Sequence, residues 1–355
     1  TTVEENAAAG TVVATLSAED VDANESFTYA LVDANGDALA SDDFEIVGNK
    51  IQVKAGSDIN FEEATSHDLF VQVTDSGGNT YQEAVTLTVT DINEDPTDIT
   101  FSATTVEENA ATGTVVATLS AEDVDANESF TYALVDANGD ALASDDFEIV
   151  GNKIQVKAGS DINFEEATSH DLFVQVTDSG GNTYQEAVTL TVTDINEDPT
   201  DITFSNTTVE ENAATGTVVA TLSAEDVDAN ESFTYALVDA NGDALASDDF
   251  EIVGNKIQVK AGSDINFEEA TSHDLFVQVT DSGGNTYQEA VTLTVTDINE
   301  DPTDITFSAT TVEENAATGT VVATLSAEDV DANESFTYAL VDANGDALAS
   351  DDFEI

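Results

Sequence analysis

Leu-Phe-Val-Gln-Val-Thr at residues 172–177 and Val-Thr-Leu-Thr-Val-Thr at residues 188–193 are the two stretches that decide the fold. In both stretches an apolar side chain recurs at every second position. Because successive side chains of a β-strand point to opposite faces, this period gives each strand a continuous apolar face. Strands of this kind are typical of antiparallel sheets that cover a core with one face and meet water with the other.

Shorter runs on either side repeat the pattern. Residues 130, 132 and 134 form a third apolar stripe, and residues 115, 117 and 119 form a fourth. The runs 147–150 and 153–156 flank Gly-Asn, which predicts a two-residue hairpin, and residues 201–204 predict an edge strand. Glycine- and asparagine-rich turns separate the runs. About seven short strands and no convincing amphipathic helix predict an all-β, antiparallel Greek-key β-sandwich.

This unit is repeated along the chain. Thr-Thr-Val-Glu-Glu-Asn begins at residues 1, 104, 207 and 310, a period of 103 residues, and only two columns vary. A period of this length suits an independent domain better than a solenoid unit. The three prolines, at 96, 199 and 302, mark the joints. The predicted domains are 1–96 without its leading strand, 97–199, 200–302 and a partial copy at 303–355, arranged end to end as an elongated rod. We expect the natural chain to continue at both ends.

Composition narrows the possible partners. The chain has 355 residues, 6 Lys and Arg, and 74 Asp and Glu, for a formal net charge of −68. Such a charge disfavours nucleic acid and anionic membrane surfaces as partners, and favours cations. The absence of Cys excludes disulfides, thiolate metal sites and Cys nucleophiles. No apolar run reaches membrane-spanning length, so membrane insertion is not expected.

The acidic residues concentrate at the joints. Asp194, Asn196, Glu197 and Asp198 lie within five residues, just before a proline. Oxygen ligands at alternating positions of an extended segment can surround a hard cation, and Ca²⁺ takes six to eight oxygens. Adaptation to a salty environment is an alternative source of acidity, but it does not explain the spacing of Asp and Asn at every joint.

Five motifs follow one another in a fixed order: Val-Glu-Glu-Asn, Glu-Asp-Val-Asp, Asn-Phe-Glu, Val-Thr-Asp and Thr-Asp-Ile-Asn-Glu-Asp-Pro. Together they resemble the bacterial cadherin-like tandem repeat found in giant secreted surface adhesins, and the resemblance covers the whole chain. It implies calcium ions between consecutive sandwiches. The ligands would come from the Glu-Asn and Asp-x-Glu motifs of one domain, from the linker, and from Asp-x-Asp and a strand-end Asp of the next.

The resemblance assigns a set of calcium ligands to each joint. For the first joint the implied ligands are Glu5, Glu62, Asp91, Asn93, Glu94, Asp95, Asp123, Asp125 and Asp178. For the second they are Glu108, Glu165, Asp194, Asn196, Glu197, Asp198, Asp226, Asp228 and Asp281. For the third they are Glu211, Glu268, Asp297, Asn299, Glu300, Asp301, Asp329 and Asp331. The last ligand of that joint would lie beyond Ile355, so we expect the joint to be incomplete here. Asp20, Asp22 and Asp75 are expected to face a preceding domain.

Two departures from the family pattern bear on the number of ions. Asn60, Asn163 and Asn266 stand where the family has the Asp of Asp-x-Glu, and Glu94-Asp95 stands where Asp-Asn is usual. With these departures, both two and three ions per joint are compatible with the sequence.

Charge repulsion gives a separate argument for a cation. The second joint would bring eight carboxylates together, and like charges 4 Å apart repel by about 1 kcal/mol per pair even in bulk water. Without calcium a joint should act as a flexible hinge, and with calcium it should lock straight. Together with the resemblance to giant adhesins, this mechanism implies an extracellular extender region of a long bacterial surface or secreted adhesin, whose partners are calcium and the neighbouring repeats. The alternative is a self-associating fibre or matrix protein with contacts between identical chains.

Other features favour ordinary structural roles. The sequence shows no nucleophile–base constellation, so an enzyme is not predicted, and a carbohydrate-binding module lacks support. Residues 136–140, Asp-Ala-Asn-Gly-Asp, predict a turn and not a calcium loop. His67, His170 and His273 are each expected on the surface. Lys153 and Lys157 are expected to protect a strand edge.

Overall fold

A computed structural model describes all 355 residues, which form 25 β-strands and no helix. The predicted all-β fold of tandem sandwiches is therefore confirmed. The structure contains no helix that is long and apolar enough to cross a membrane. The chain divides into two units, Thr1–Asp194 and Ile195–Ile355, and each is described here by itself.

The first unit begins with a seven-stranded sandwich. Its strands are β1 (Thr2–Glu4), β2 (Val12–Thr15), β3 (Thr28–Val32), β4 (Phe44–Val47), β5 (Lys50–Val53), β6 (Ser66–Thr74) and β7 (Thr80–Thr90). One sheet has the order β1-β7-β6-β3 and the other has the order β2-β5-β4. The strand β1 pairs with β7 in parallel, and the other pairs are antiparallel.

The second repeat of this unit has eight strands. They are β8 (Asp98–Phe101), β9 (Thr105–Glu107), β10 (Val115–Glu122), β11 (Thr131–Val135), β12 (Phe147–Val150), β13 (Lys153–Val156), β14 (Ser169–Thr177) and β15 (Thr183–Thr193). The two sheets have the orders β12-β13-β10-β8 and β11-β14-β15-β9. The segment that opens the repeat is divided between them, because β8 pairs with β10 and β9 pairs in parallel with β15. The sequence pattern predicted the counterpart of β8 in the third repeat, at residues 201–204, but it missed β9.

The core of the second repeat lies between its two sheets. The predicted alternation is observed in β14 and β15, where Val174, Val176 and Leu190 are fully buried. Phe147 is the largest buried side chain of this repeat. The predicted hairpin joins β12 to β13, with Val150 opposite Lys153.

The stripe predicted at residues 115, 117 and 119 is partly wrong. Val115 is 46% exposed, whereas its neighbour Val116 is 6% exposed. The pairing of β10 with β13 shifts register between Val115 and Ala117, so Val116 is an extra residue in the ladder. A β-bulge of this kind disrupts the strict period of two, and it turns two consecutive residues toward the core.

The second unit contains the third repeat and the partial fourth. The third repeat consists of β16 (Asp201–Phe204), β17 (Thr208–Glu210), β18 (Val218–Glu225), β19 (Thr234–Val238), β20 (Phe250–Val253), β21 (Lys256–Val259), β22 (Ser272–Thr280) and β23 (Thr286–Thr296). Its sheets have the orders β16-β18-β21-β20 and β17-β23-β22-β19, the topology of the second repeat.

The partial fourth copy forms only two strands, β24 (Asp304–Phe307) and β25 (Leu325–Glu328). Ile305 is 50% exposed here, whereas Ile202, at the same position of the third repeat, is 2% exposed. The partial copy buries no complete core, because the opposing sheet that would cover β24 is not formed.

Two sequence-based expectations for side chains are wrong. His67 is only 20% exposed; its Nδ1 lies 3.6 Å from Asp43 Oδ2 and its ring packs edge-on against Phe44, and His170 and His273 repeat this arrangement. Lys153 lies in β13, an interior strand of its sheet, and Lys157 Nζ donates to the carbonyl oxygen of Ser144, so neither protects an edge. Both errors arose because the local sequence pattern shows neither which side chains from other strands contact the histidine nor where β13 lies in its sheet. Residues 136–140 form the predicted turn, closed by Asp136 Oδ1 accepting from the amides of Asn138 and Asp140.

Candidate metal centre at the repeat joints

Four carboxylates meet at the first joint, within the first unit. Glu5, Glu62, Asp91 and Glu94 each offer an oxygen, and these oxygens all lie within 4.8 Å of one another. Glu5 directly follows β1, and Asp91 directly follows β7, its parallel partner. The pairing of these two strands therefore brings the ends of the Val-Glu-Glu-Asn motif and of the last strand to the same edge of the sandwich.

Glu5 organises this group. It is 1% exposed, its Oε2 accepts a 2.9 Å hydrogen bond from the amide of Phe61, and its Oε1 accepts a 2.6 Å bond from the amide of Ile92. One buried carboxylate thus ties the Asn-Phe-Glu loop to the linker. Hydrogen bonds to a charged acceptor are about twice as strong as neutral ones, so this anchor holds Glu62 and Asp91 next to each other.

The linker also contacts the second repeat. The amide of Glu94 donates to Asp125 Oδ2 at 2.9 Å, and the amide of Asp125 donates to Asp123 Oδ1 at 3.0 Å. On the side of the first repeat, Asn6 Nδ2 donates to Glu94 Oε1 at 2.8 Å. Glu94 therefore lies between carboxylate-bearing loops of both repeats.

Several carboxylate oxygens at this joint have no partner. Glu94 Oε2, Asp123 Oδ2 and Asp125 Oδ1 are buried and accept no hydrogen bond. Leaving a buried polar atom unsatisfied costs about 1–3 kcal/mol, and more when the group is charged. Bound cations would satisfy oxygens of this kind, and calcium is a hard cation that takes carboxylate and carbonyl oxygens in a flexible geometry. The donor set therefore fits calcium.

Mutual repulsion is visible in the pKa values of the group. Burial, and then the negative charges of Glu5, Asp125 and Glu62, raise the pKa of Glu94 to about 7. Burial, followed by the charges of Asp125 and Glu5, also raises the pKa of Asp91. Clustered carboxylates with raised pKa values are an arrangement that a divalent cation stabilises.

Asn93 and Asp178 meet at a second part of the same joint. Asn93 Nδ2 donates to Asp178 Oδ2 at 2.8 Å, and Asn182 Nδ2 donates to the carbonyl oxygen of Asn93 at 2.8 Å. Burial opposes ionisation of Asp178, but hydrogen bonds from Asn93 and from the amides of Asn182 and Gly181 lower its pKa overall.

The third joint, within the second unit, repeats the first. Glu211, Glu268, Asp297 and Glu300 offer oxygens within 4.8 Å of one another. Glu211 accepts from the amides of Phe267 and Ile298, and the amide of Glu300 donates to Asp331 Oδ2 at 2.8 Å. Asp331 in turn accompanies Asp329, whose Oδ1 accepts from the amide of Asp331. Glu300 Oε2 and Asp331 Oδ1 are again buried without a partner.

The predicted ligands of the second joint fall in both units, and each half repeats the geometry described above. In the first unit Glu108 is 1% exposed and accepts from the amide of Phe164, and Glu108, Glu165 and Asp194 lie together. In the second unit Asn196 donates to Asp281 at 2.9 Å, and the amide of Glu197 donates to Asp228. Asp228 also donates its amide to Asp226 Oδ1, and burial raises the pKa of Asp226.

Some predicted residues lie outside the clusters. Asp95, Asp198 and Asp301 follow the linker glutamate in each joint and are exposed. Asp20 and Asp22 of the first repeat are exposed as well, whereas Asp123 and Asp125, at the same positions of the second repeat, are half-buried.

Sequence reasoning missed three contacting residues of the first joint. Asn6 holds Glu94, Asn182 holds the carbonyl of Asn93, and Gly180 leaves room for the side chain of Asn93. The repeated Asp-Ser-Gly-Gly-Asn turn was visible in the sequence as a signal, but a turn motif alone does not show which neighbour it contacts.

Known proteins contain repeats similar to those of this chain. The Cadherin domain model matches residues 1–90, 102–193 and 205–296. Human protocadherin Fat 1 is 26% identical over 363 residues, covering 97% of this chain and 8% of that protein. Human protocadherin alpha-3 is 27% identical over 347 residues, covering 91% of this chain and 35% of that protein. The chain thus spans well under two thirds of either relative.

Solved structures share the fold. Extracellular cadherin domains 1–5 of protocadherin gamma B2 superpose with a TM-score of 0.65 at 22% identity, covering 93% of this chain and 65% of that one. Domains EC22–24 of mouse cadherin-23 give a TM-score of 0.59 at 23% identity, covering 84% of this chain and 95% of that one. The related cadherins and protocadherins are adhesion proteins and not enzymes. With three matched repeats over most of its length, the chain belongs to the cadherin family.

Proposed function

We propose that this chain is a calcium-rigidified extender region of a long bacterial cell-surface or secreted adhesin. The observation that carries the proposal is the set of buried carboxylate oxygens without partners at Glu94, Asp123 and Asp125. Glu94 also belongs to the cluster of four carboxylates that it forms with Glu5, Glu62 and Asp91. The repeats proposed as its building blocks are residues 1–96, 97–199, 200–302 and the partial 303–355. Its tasks would be reach and stiffness.

The joint residues would act in two ways. Glu5 fixes the loop and the linker of one repeat, so Glu62, Asp91 and Glu94 are held in place before any ion arrives. Asp123 and Asp125 add carboxylates from the following repeat. Calcium, when bound, supplies positive charge that offsets their repulsion and links both sides. Without it the clustered negative charges favour separation of the two sides and hence a flexible joint.

The ion count stays open at two or three per joint. Asn60, which stands where the family has a carboxylate, accepts a 2.7 Å hydrogen bond at its Oδ1 from the amide of Glu63 and thereby closes the loop. The roles of Asn93, Asp178 and Asp95 as ligands, and of their counterparts in the other joints, remain predictions.

An extracellular location and the bacterial setting are parts of the proposal. Similar solved structures consist of extracellular cadherin domains, as in protocadherin gamma B2. The bacterial assignment rests on the sequence resemblance to adhesin repeats. The animal relatives share the family and the fold of this chain, and they are not part of the argument for a bacterial protein.

Calcium titration of the full chain tests the proposal, with Glu62→Gln as the variant and Glu63→Gln as its matched control. Glu62 belongs to the cluster, whereas the neighbouring Glu63 is exposed and lies outside it. Both changes remove one negative charge from the same loop. We expect Glu62→Gln to lose calcium affinity and Glu63→Gln to keep it. If calcium removal left small-angle scattering and the melting temperature of the unaltered chain unchanged, the extender mechanism would be wrong.

Self-association is the second candidate function. It is favoured by one similar solved structure, the cis-dimer of protocadherin gammaB7 EC3-6. Light scattering separates the candidates, because a fibre-forming protein gains mass with concentration and an extender does not.

A further inference from the structure

Asn6, the last residue of the Val-Glu-Glu-Asn motif, has a left-handed backbone conformation. Its φ angle is 53°, and Asn212, at the same position of the third repeat, has a φ angle of 56°. Asparagine is one of the few residues that tolerate this conformation, but glycine adopts it without steric cost. The backbone therefore does not by itself require asparagine here, and the contacts of the side chain become relevant.

The side chain of Asn6 reaches the linker that follows its own repeat. Asn6 Nδ2 donates to Glu94 Oε1 at 2.8 Å, although 88 residues separate the two along the chain. Asn212 Nδ2 donates to Glu300 Oε1, also at 2.8 Å. The amide of Asn6 donates to the carbonyl oxygen of Ile59 at 2.8 Å, and Ile59 is buried. The donor is thus attached to the core of the repeat, while the acceptor belongs to the linker.

The two carboxylate oxygens of Glu94 therefore have different surroundings. Oε1 accepts the hydrogen bond from Asn6, whereas Oε2 is buried and has no partner. Glu300 shows the same division, with Oε1 accepting from Asn212 and Oε2 buried without a partner. Because a hydrogen bond to a charged acceptor is stronger than one between neutral groups, it holds the carboxylate in one orientation. In both joints the unpartnered oxygen is the one left for a cation.

We propose that Asn6 is a positioning residue for calcium at the first joint, and that it limits Glu94 to a single ligand oxygen, Oε2. Calcium accepts carboxylates through either one oxygen or two, so a residue that occupies Oε1 decides how many oxygens the linker glutamate supplies. Asn6 acts through Glu94 and does not itself bind the ion. Asn212 acts in the same way on Glu300. The inference deepens the proposed calcium site and rests on it.

Two other roles for Asn6 lead to different expectations. If Asn6 only provided the left-handed backbone, Asn6→Gly would change nothing, because glycine adopts this conformation freely. If Oδ1 of Asn6 were itself a ligand, Asn6→Asp would bind calcium more tightly, because a carboxylate would replace a neutral oxygen. If Asn6 positions Glu94, both variants remove the donor to Oε1 and both bind calcium more weakly. In Asn6→Asp the new charge also repels Glu94.

Protection of the linker from a glutamate-specific protease tests the proposal in the full chain. The measured quantity is the calcium concentration that halves the rate of cleavage after Glu94, with the fragments identified by mass spectrometry. We expect Asn6→Gly and Asn6→Asp to raise this concentration about tenfold, as for the loss of a group that orients a metal ligand. The matched control is Asn24→Gly, because Asn24 is exposed like Asn6 and is also left-handed, with a φ angle of 68°. It should leave the concentration unchanged.

Cleavage after Glu300 in the same digest is the internal reference, since these changes leave Asn212 and the third joint unaltered. Circular dichroism in excess calcium confirms that each variant is folded. An unchanged half-protection concentration in Asn6→Gly, or a lower one in Asn6→Asp, would overturn the positioning role and leave calcium binding intact. A parent chain whose cleavage after Glu94 did not respond to calcium would instead overturn the proposed function, and the positioning role with it.

Discussion

The backbone amide of Glu94 donates a 2.9 Å hydrogen bond to Oδ2 of Asp125. The linker is thereby fixed to the second repeat through the backbone of a residue whose side chain belongs to the carboxylate cluster of the first. The other oxygen of Asp125 is buried and has no partner. One aspartate therefore both docks the linker and presents an unpaired oxygen.

We expect Asp125→Asn to weaken calcium binding at the first joint by about tenfold to a hundredfold. Loss of a charged hydrogen-bonding contact costs about 1.5–3 kcal/mol, and 1.4 kcal/mol corresponds to a factor of ten in affinity. Isothermal titration calorimetry of the full chain measures the effect. Asp22→Asn, at the same position of the first repeat but exposed, is the control, and equal losses in both variants would contradict the assignment.

The metal-free joint should lose stability as the pH rises. The pKa of Glu94 is raised from its ordinary value of 4.5 to about 7, so the folded joint binds a proton more tightly than the unfolded chain does. That stability is fully present below pH 4.5 and is lost as the pH rises through about 7. Melting temperatures in chelator at pH 5 and pH 8 test this sign. Glu94→Gln should reduce the dependence, and an unchanged slope would show that other groups cause it.

Calcium removal should expose the linker to proteolysis. The amide and side chain of Glu94 are both held in the joint, so cleavage after this residue requires local opening. We expect a glutamate-specific protease to cut after Glu94 faster in chelator than in calcium. Mass spectrometry identifies the cut, and exposed Glu63 reports any general change in protease activity. Equal rates after Glu94 in both conditions would show that the joint does not open.

Phe147→Ala should lower the free energy of unfolding of the second repeat by about 3–5 kcal/mol, because it removes a fully buried aromatic ring and leaves a cavity. The matched control is Phe353→Ala, at the same position of the partial fourth copy, where the side chain is 51% exposed. Urea denaturation measures both. Similar effects of the two changes would mean that the fourth copy packs more completely than the structure shows.

Local sequence pattern was sufficient for most of the fold. Strict alternation predicted β14 and β15, and the Gly-Asn pair predicted the hairpin between β12 and β13. It missed β9, because three residues are too few to show a period, and their partner β15 lies more than eighty residues away. The bulge at Val116 was missed because an extra residue leaves no local mark in a run of apolar side chains.

The candidate site was predictable in part. The order of motifs placed Glu5, Glu62, Asp91 and Glu94 at one joint, and the structure brings these four residues together. The contacts of Asn182 and Gly180 with Asn93 depend on how a turn of one repeat meets the linker before it. No pattern within a single segment contains that information, and near-identical copies offer no variation from which to infer it.

The parallel pairing of β9 with β15 affects how a repeat would bear mechanical load. Thr105, Val106 and Glu107 form the second half of the segment that opens the repeat, and they pair with Thr191, Val192 and Thr193, which close it. Pulling the two ends of the repeat apart would draw these strands in opposite directions along their length. The evenly spaced hydrogen bonds between them would then be sheared all at once instead of being unzipped one after another. Tension along the chain would therefore meet its greatest resistance at the shortest strand of each sandwich.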